Sequence, residues 1–470
     1  MGEEGDDSSR VDSFRDGGHL PLVVAVVSLV TVVALETQSV STILPRIKAD
    51  LDGLSLYGWV FAGFSLAQIG GIVFAGVLAD RRGLAAPVAI GLLFYVAGLA
   101  VGATAPSMVV LVAGRVLQGF GAGTVPAVCY VAIGRGLPES LRPKAFAYLS
   151  TAWILPSLVG PLGANYLAKA AGWRWVFGGL IPIAALVGGS AIGALGRLSV
   201  GSGSAVPDDS AVPSTVALLV GVAAVLVGFD TRPRVVGVAM VILGCVVTLA
   251  ALRRRTPVGT LSFRRGLPSA IGLRGLLTCG FFGVDAFITL GLVEVRHTST
   301  DFGALVVASS AFLWTAGSWT QARLTGRVRP RQFVRVGLGL VAIAGLLMTW
   351  IITSSAPVGL AVPVWLLAGF GIGVSYSPLS LVTLANAEEG REGFATSALQ
   401  LTDVLGVSIG TGVVGMLIDV FSRDGSPTVS GIRWAFLGPI VVAGFGCALA
   451  GRLDVRRAAV PAATVRRPGH

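Results

Sequence analysis

Four ionisable residues lie inside long apolar stretches of this chain: Glu36, Arg115, Asp285 and Asp403. A charge at mid-bilayer costs at least ~2.5–3.5 kcal/mol on insertion scales, so it normally faces a partner or a cavity. A carboxylate in such a place suits proton transfer, because desolvation favours its neutral form and a nearby cation favours its charged form. The plain alternative for each residue is a buried ion pair with no further role. Counted along helices at 1.5 Å per residue, Glu36 and Asp285 lie ~12 Å from the outer ends of their spans and Arg115 lies ~11 Å. These three therefore share one layer in the outer half. Asp403 lies ~14 Å from the inner end of its span.

The elements that must position these charges are membrane helices. The chain has 470 residues, 54% hydrophobic and only 13% charged, whereas a soluble domain carries about 25% charged residues. Hydropathy marks fourteen runs, each approaching the ~20 apolar residues that a crossing requires. They divide the chain into a tail (1–19), a six-helix bundle (20–197), a Gly/Ser/Pro/Asp-rich linker (198–214), two extra spans (215–253), a short linker (254–267), a second six-helix bundle (268–453) and a tail (454–470). The first extra span, Thr215–Gly228, is short. The segment before Leu20 is acidic (Glu3, Glu4, Asp6, Asp7), unlike the basic start of a secretory signal.

The net charge of +11 fits a membrane protein with a positive inside better than a nucleic-acid binder. Loop Lys and Arg number roughly 25 on the side of the termini and roughly 9 opposite, which predicts both termini in the cytoplasm. Lysine occurs only at Lys48, Lys144 and Lys169, and Ala, Gly and Val abound. That composition suggests a GC-rich bacterial source, and hence the inner membrane. Cys129, Cys245, Cys279 and Cys447 all fall in apolar runs without pairing or ligand spacing, and the three histidines are scattered. No metal site and no cofactor are expected.

The two six-helix ends repeat. Gly119-Phe120-Gly121-Ala122-Gly123 recurs as Gly369-Phe370-Gly371-Ile372-Gly373, Phe146-Ala147 as Phe394-Ala395, and Arg174-Trp175-Val176-Phe177 as Arg433-Trp434-Ala435-Phe436. The offsets are about 250, 248 and 259 residues. Glu36 and Asp285 differ by 249, so they are expected in equivalent places, facing each other across a cavity. Parallel repeats about a membrane-normal axis are a known transporter plan, with substrate bound between the halves near midplane.

Four motifs resemble those of the major facilitator superfamily, and the six-plus-two-plus-six layout resembles its fourteen-spanner drug:proton antiporter branch. Gly76-Val77-Leu78-Ala79-Asp80-Arg81-Arg82-Gly83 is similar to the loop signature between the second and third spans. Leu35-Glu36-Thr37 with Leu44-Pro45 is similar to the acid-Thr…Leu-Pro motif of the first span. Arg115-Val116-Leu117-Gln118-Gly119 is similar to the Arg-x-x-Gln-Gly motif of the fourth span, and Gly160-Pro161 to the core of the antiporter motif in the fifth. The chain departs from the family at Leu84 and Ala85, where the loop signature is basic. It departs again at Ala147 and Pro156, where the antiporter motif has glycines. The second repeat's loop, Gln321–Arg327, lacks the acid.

The resemblance implies an all-α membrane protein of two six-helix bundles plus two extra helices, working as a transporter and not as an enzyme. It implies a role in proton transfer for Arg115, and the intramembrane positions of Glu36, Asp285 and Asp403 add these three to the candidates for proton coupling. It also implies gating through Asp80, Arg81, Gly76 and Gly83, with Asp80 near the N-terminus of the eleventh repeat helix around Gly390–Gly393. Gln38, Phe64, Gln118, Trp153, Phe282, Tyr376 and Gln400 are candidates for the substrate cavity. The partners implied are the lipid bilayer, protons and a lipophilic small molecule, with the monomer as the working unit. Proton-linked uptake of a metabolite is an alternative, but polar residues facing inward are few. A lipid-handling membrane enzyme would want clustered His or Asp, which the sequence lacks. No Gly-x-x-x-x-Gly-Lys motif is present for direct ATP drive.

Overall fold

A computed structural model describes residues 14–15, 18–51, 56, 59–198, 211–231, 233–421 and 428–453. The tail before residue 14, most of the linker at 199–210 and the tail from 454 lie outside the described residues. Helices account for nearly all that is described. They are α1 (Leu20–Leu51), α2 (Trp59–Arg82), α3 (Ala85–Ala103), α4 (Met108–Gly136), α5 (Arg142–Ala170), α6 (Arg174–Leu195), α7 (Ala211–Asp230), α8 (Arg234–Arg255), α9 (Leu267–Arg296), α10 (Thr300–Leu324), α11 (Pro330–Thr353), α12 (Ala361–Asn386), α13 (Glu392–Val420) and α14 (Val429–Leu449). Among the described residues thirteen stretches are long and apolar enough to cross a membrane, and α7 carries a shorter apolar run, Pro213–Val225. The sequence placed the start of α7 at residue 215. The helix begins at Ala211 because Ala211 and Val212 extend the apolar pattern past Pro213, and proline is tolerated in a first helical turn.

Two helices are broken where hydropathy runs on. In α5 the regular helix stops at Thr151 and resumes at Ile154. Pro156 explains the break: it donates no N–H, and its ring clashes with the carbonyl four residues back, that of Ala152. The Thr31 hydroxyl of α1 approaches that freed carbonyl at 3.5 Å. In α6 the break falls at Gly179, just before Pro182 meets the carbonyl of Gly178 in the same way.

The repeat is a repeat of contacts. A side chain added at Gly119 would strike the backbone of Phe64, and one at Gly123 the backbone of Gln68. In the second half, Gly369 stands against the backbone of Ser310 and Gly373 against that of Trp314. Likewise Gly121 abuts Gly91 of α3 and Gly371 abuts Gly337 of α11. The two glycine-rich strings thus let α4 and α12 touch two neighbours each at backbone distance.

Arginines gather at one end of the molecule, which is called here the arginine-rich face: Arg81 and Arg82 close α2, Arg253, Arg254 and Arg255 close α8, and Arg327, Arg329 and Arg331 flank the α10–α11 turn. Near that face one apolar core spans both bundles, joining Ala75, Val128, Tyr130 and Phe146 to Ile271, Leu384, Ala398 and Leu399. Toward the opposite face the cores separate. Val40, Leu44, Tyr95, Leu99 and Phe177 pack within the first bundle, while Phe281, Val284, Trp365 and Phe436 pack within the second. The α7–α8 pair lies along the α2–α13 seam, where Leu218, Val222 and Leu252 join Ile69, Ile72, Val73, Leu401 and Leu405.

Candidate functional site: buried charges and a closed seam

The first charge centre sits inside the N-terminal bundle. Arg115 pairs with Glu36 through Nη1 and Oε1, and both side chains are fully buried. The arginine also donates from Nε to the Val60 carbonyl at 3.2 Å and from Nη1 to Gln118 Oε1 at 2.6 Å. Its guanidinium lies 4.2 Å from the centre of the Phe64 ring. The spacing Arg-x-x-Gln puts Arg115 and Gln118 on one face of α4, and Gly119 brings α2 close enough to deliver Val60 and Phe64. Glu36 Oε2 has no protein partner among the described residues, nor do the neighbouring Gln118 Nε2 and Tyr95 Oη.

The second centre is in the C-terminal bundle. Asp403 Oδ2 accepts from the Tyr376 hydroxyl at 2.8 Å, and Asp403 Oδ1 lies 3.4 Å from Arg274 Nε. Arg274 donates to the Tyr376 carbonyl at 2.9 Å and to Ser380 Oγ at 2.8 Å. Its guanidinium covers the Tyr376 ring at 3.3 Å. Asp285 stands apart from both centres. It is half-buried and accepts from Trp365 Nε1 at 2.7 Å. Trp365 in turn stacks on Phe281, with centroids 5.2 Å apart. Among the described residues no hydrogen bond or ion pair joins Glu36 to Asp285: each acid bonds to a partner in its own bundle.

The third feature is a seam across the bundles at the arginine-rich face. Asp80 Oδ1 accepts from the Gly393 amide at 2.8 Å and Oδ2 from the Phe394 amide at 2.9 Å. These amides belong to the first turn of α13, where N–H groups lack helical partners and a negative charge is favoured. Arg135 bridges Asp80 Oδ1 at 3.1 Å and Glu392 Oε2 at 2.5 Å. Ser397 donates to the Ile72 carbonyl at 2.8 Å. A side chain at Gly76 would meet Ser397 and the Gly393 carbonyl. Gly83 ends α2 at φ +77°, a left-handed conformation that glycine adopts without strain. Arg81 is exposed. Between α5 and α10, at the same face, Ser318 donates to Ser150 at 2.9 Å and Trp319 to Thr151 at 3.1 Å.

All these cross-bundle bonds fall within about ten residues, ~15 Å, of the helix ends at the arginine-rich face. Glu36 and Arg115 lie beyond the seam. Among the described residues the bundles are thus joined at the arginine-rich face, and toward the opposite face their apolar cores are separate.

The remaining candidates are dispersed. Phe64 and Gln118, anticipated on a cavity wall, are buried against Arg115. Gln400 is buried in α13, and Tyr376 belongs to the Asp403 centre. Phe282 is half-buried, 6.1 Å from Trp314 between ring centres. Trp153 is exposed at the α5 break, and Gln38 packs against Gly160. Gly160 also approaches α1 through its carbonyl, 3.5 Å from Ser39 Oγ. Pro161 lies within the second segment of α5. Arg274, Arg135 and Glu392 escaped the sequence reading. Arg274 is seven residues into α9, close behind Arg264 and Arg265, and reads there as one more positive-inside arginine. The signal that could have found it is its position within an uninterrupted apolar run.

Two helical bundles with paired buried charges and a seam between them at one face fit the plan of a membrane transporter. The family model described as Major Facilitator Superfamily matches residues 26–411, and the chain belongs to that superfamily. It is a multi-pass membrane protein and a secondary transporter, not an enzyme. It is 27% identical over 412 residues to a "Probable multidrug-efflux transporter" of Mycobacterium tuberculosis, covering 84% of this chain and 87% of the relative. It is 23% identical to "Multidrug resistance protein 3" of Bacillus subtilis, covering 85% and 80%. Among solved structures, the human organic anion transporter TETRAN matches at TM-score 0.69 and 17% identity, covering 92% of this chain and 99% of that one. The Escherichia coli fucose:proton symporter matches at TM-score 0.64 and 14% identity, covering 93% and 99%. At these identities the two structures speak for the fold alone.

Proposed function

We propose that the protein exports lipophilic or amphipathic compounds from a bacterial cytoplasm in exchange for protons, crossing the inner membrane fourteen times with both termini inside. The observation that carries this reading is the buried Glu36–Arg115 pair beyond the closed seam. Glu36 Oε1 is held by the cation, whereas Oε2 has no protein partner among the described residues. A proton can therefore arrive at Oε2 without a protein bond being broken first. Protonation removes the charge that offsets Arg115, and a buried cation left alone is costly. Substrate binding and bundle movement are thereby tied to the proton. Asp403 serves as a second proton-binding carboxylate, and Asp285, which among the described residues has an indole and no cation as its partner, favours cationic substrates.

The direction of transport and the substrate class draw on the relatives, whose names speak of multidrug efflux. Asp80, Gly76, Gly83 and Arg81 form the gate, since opening the arginine-rich face requires Asp80 to leave the α13 amides. The test is a substrate panel in inverted vesicles. Proton-driven accumulation of hydrophobic dyes supports export. Proton-driven loss of preloaded small polar metabolites from the lumen, which is the periplasmic side of an inverted vesicle, would favour the uptake reading.

A further inference from the structure

The Arg274 centre is built differently from the Glu36 centre, and the difference has a consequence. Among the described residues Arg115 bonds only within its own bundle. Arg274 also reaches across: its Nη2 lies 3.4 Å from the hydroxyl of Tyr130, on α4 of the other bundle. Arg274, Tyr130 and Ser380 are buried, whereas the Asp403 side chain keeps 16% of its surface accessible. The titratable and charged groups facing Asp403 are Arg274 from α9, Tyr376 from α12 and Tyr130 from α4. Arg274 is the only full charge among these.

We propose that Arg274 is a positioning residue of the transport cycle: it reads the charge on Asp403 and, through Tyr130, fastens the two bundles at the arginine-rich face only while Asp403 is ionised. This rests on the proton-coupled reading above and adds a second sensor to it. With Asp403 ionised, the cation is compensated and its hydrogen bonds to Tyr376, Ser380 and Tyr130 hold the seam. When Asp403 takes a proton, Arg274 keeps its charge with neutral partners only. A buried cation that has lost its counter-charge favours any arrangement that hydrates it, and parting the bundles at Tyr130 does so. The gate at Asp80 is closed by helix amides. This second fastening, some distance along the same interface, is closed by a proton-sensitive pair.

The seam provides its own reporter. Ser150 Oγ and Ser318 Oγ are 2.9 Å apart across the bundles, so Ser150→Cys with Ser318→Cys forms a disulfide when the seam is shut. The cross-link is measured in full-length protein in nanodiscs, with Cys129, Cys245, Cys279 and Cys447 replaced. Buffers at about pH 5.5 and about pH 8 bracket the range of a desolvated carboxylate. A control cross-link between fixed positions corrects for the intrinsic pH dependence of thiol oxidation. The corrected yield is expected to fall at the lower pH. Asp403→Asn, which mimics the protonated acid, is expected to lower it at both. Asp403→Asn combined with Arg274→Gln is expected to raise it above Asp403→Asn alone, because no uncompensated charge remains, to stay no higher than Tyr130→Phe, because the Tyr130 contact is lost, and to remove the pH dependence. Tyr130→Phe loses one hydroxyl, folds conservatively, and is expected to shift the closed fraction by roughly threefold to tenfold.

A cross-link that keeps its pH dependence in the double variant would overturn the proposal, as would Tyr130→Phe closing like the parent. Glu36→Gln separates the two readings. If it alone abolishes the pH dependence, proton coupling stands and the Arg274 sensor fails. If neither Glu36→Gln nor the double variant alters it, both readings fail.

Discussion

Replacing Asp80 by Asn removes a charge that bridges two bundles while leaving the size of the side chain unchanged. In the structure the carboxylate accepts two amides of α13, at 2.8 and 2.9 Å, and an ion pair from Arg135 at 3.1 Å. Asparagine offers one oxygen where two acceptors are needed, so one amide of the pair is left facing an NH2 group. A hydrogen bond to a charged group contributes about 1.5–3 kcal/mol, and a carboxylate at a helix N-terminus adds about 0.3–1 kcal/mol. Arg135 still holds Glu392, so the net loss in the closed state is about 2–3 kcal/mol. At 1.4 kcal/mol per factor of ten, the closed-to-open ratio drops roughly 30- to 150-fold. The assay is alkylation of Ser397→Cys in a cysteine-free background. Ser397 is buried in the seam on the Ile72 carbonyl and becomes accessible only when the seam parts. Labelling is expected to quicken by more than about tenfold in the Asp80→Asn protein. A labelling rate equal to the parent's would refute the gate role.

Further expectations follow from other contacts. Gly76→Val drives a side chain into Ser397 and Gly393, so it should raise Ser397→Cys labelling as Asp80→Asn does, with the protein still monodisperse on gel filtration. Gly119→Val pushes against the Phe64 backbone and should cost about 1–3 kcal/mol by overpacking, read as a lowered Tm in detergent. Reporter fusions after Arg255 and after Arg331 should both report cytoplasm, and one between α7 and α8 the outside. A cytoplasmic signal from the last would remove the two extra crossings. Asp50, at the far end of α1 and exposed, accepts from Trp173 Nε1 and Arg174 Nη1, both at 2.9 Å, and these donors hold its carboxyl below the usual range. A lowered value means that the contact survives above it and is lost as pH falls through it. A 13C-carboxyl titration of Asp50 should therefore show its midpoint below ~3.9, the ordinary aspartate value.

Much of the fold was legible because membrane helices announce themselves by length and apolarity, and because the repeat glycines had to recur where backbones touch. Glu36 and Arg115 were legible as a pair from their common depth. Asp80 was legible through the resemblance of its motif to the family's loop signature; its residues alone read as a solvated loop charge. The breaks in α5 and α6 were hidden, since hydropathy does not register the carbonyl that a proline displaces. Arg274 was hidden among the positive-inside arginines, and Arg135 and Glu392 among ordinary helix ends. The facing of Glu36 and Asp285 was inferred from numbering alone. Equal offsets fix equivalent depths, but the rotation of each helix depends on its partners: Arg115 holds Glu36 to α4, and Trp365 holds Asp285 to α12.

The central claim is that Glu36 couples transport to protons. Glu36→Gln keeps shape and most hydrogen bonding but cannot ionise, and Glu36→Asp keeps the titratable group. Purified protein in liposomes, with an imposed pH gradient as the sole driving force and ethidium as the probe, gives the most direct test. The account predicts accumulation by the parent protein, partial accumulation by Glu36→Asp and none by a well-folded Glu36→Gln. Accumulation by Glu36→Gln at the parent's rate would contradict it and move the coupling role to Asp403 or Asp285.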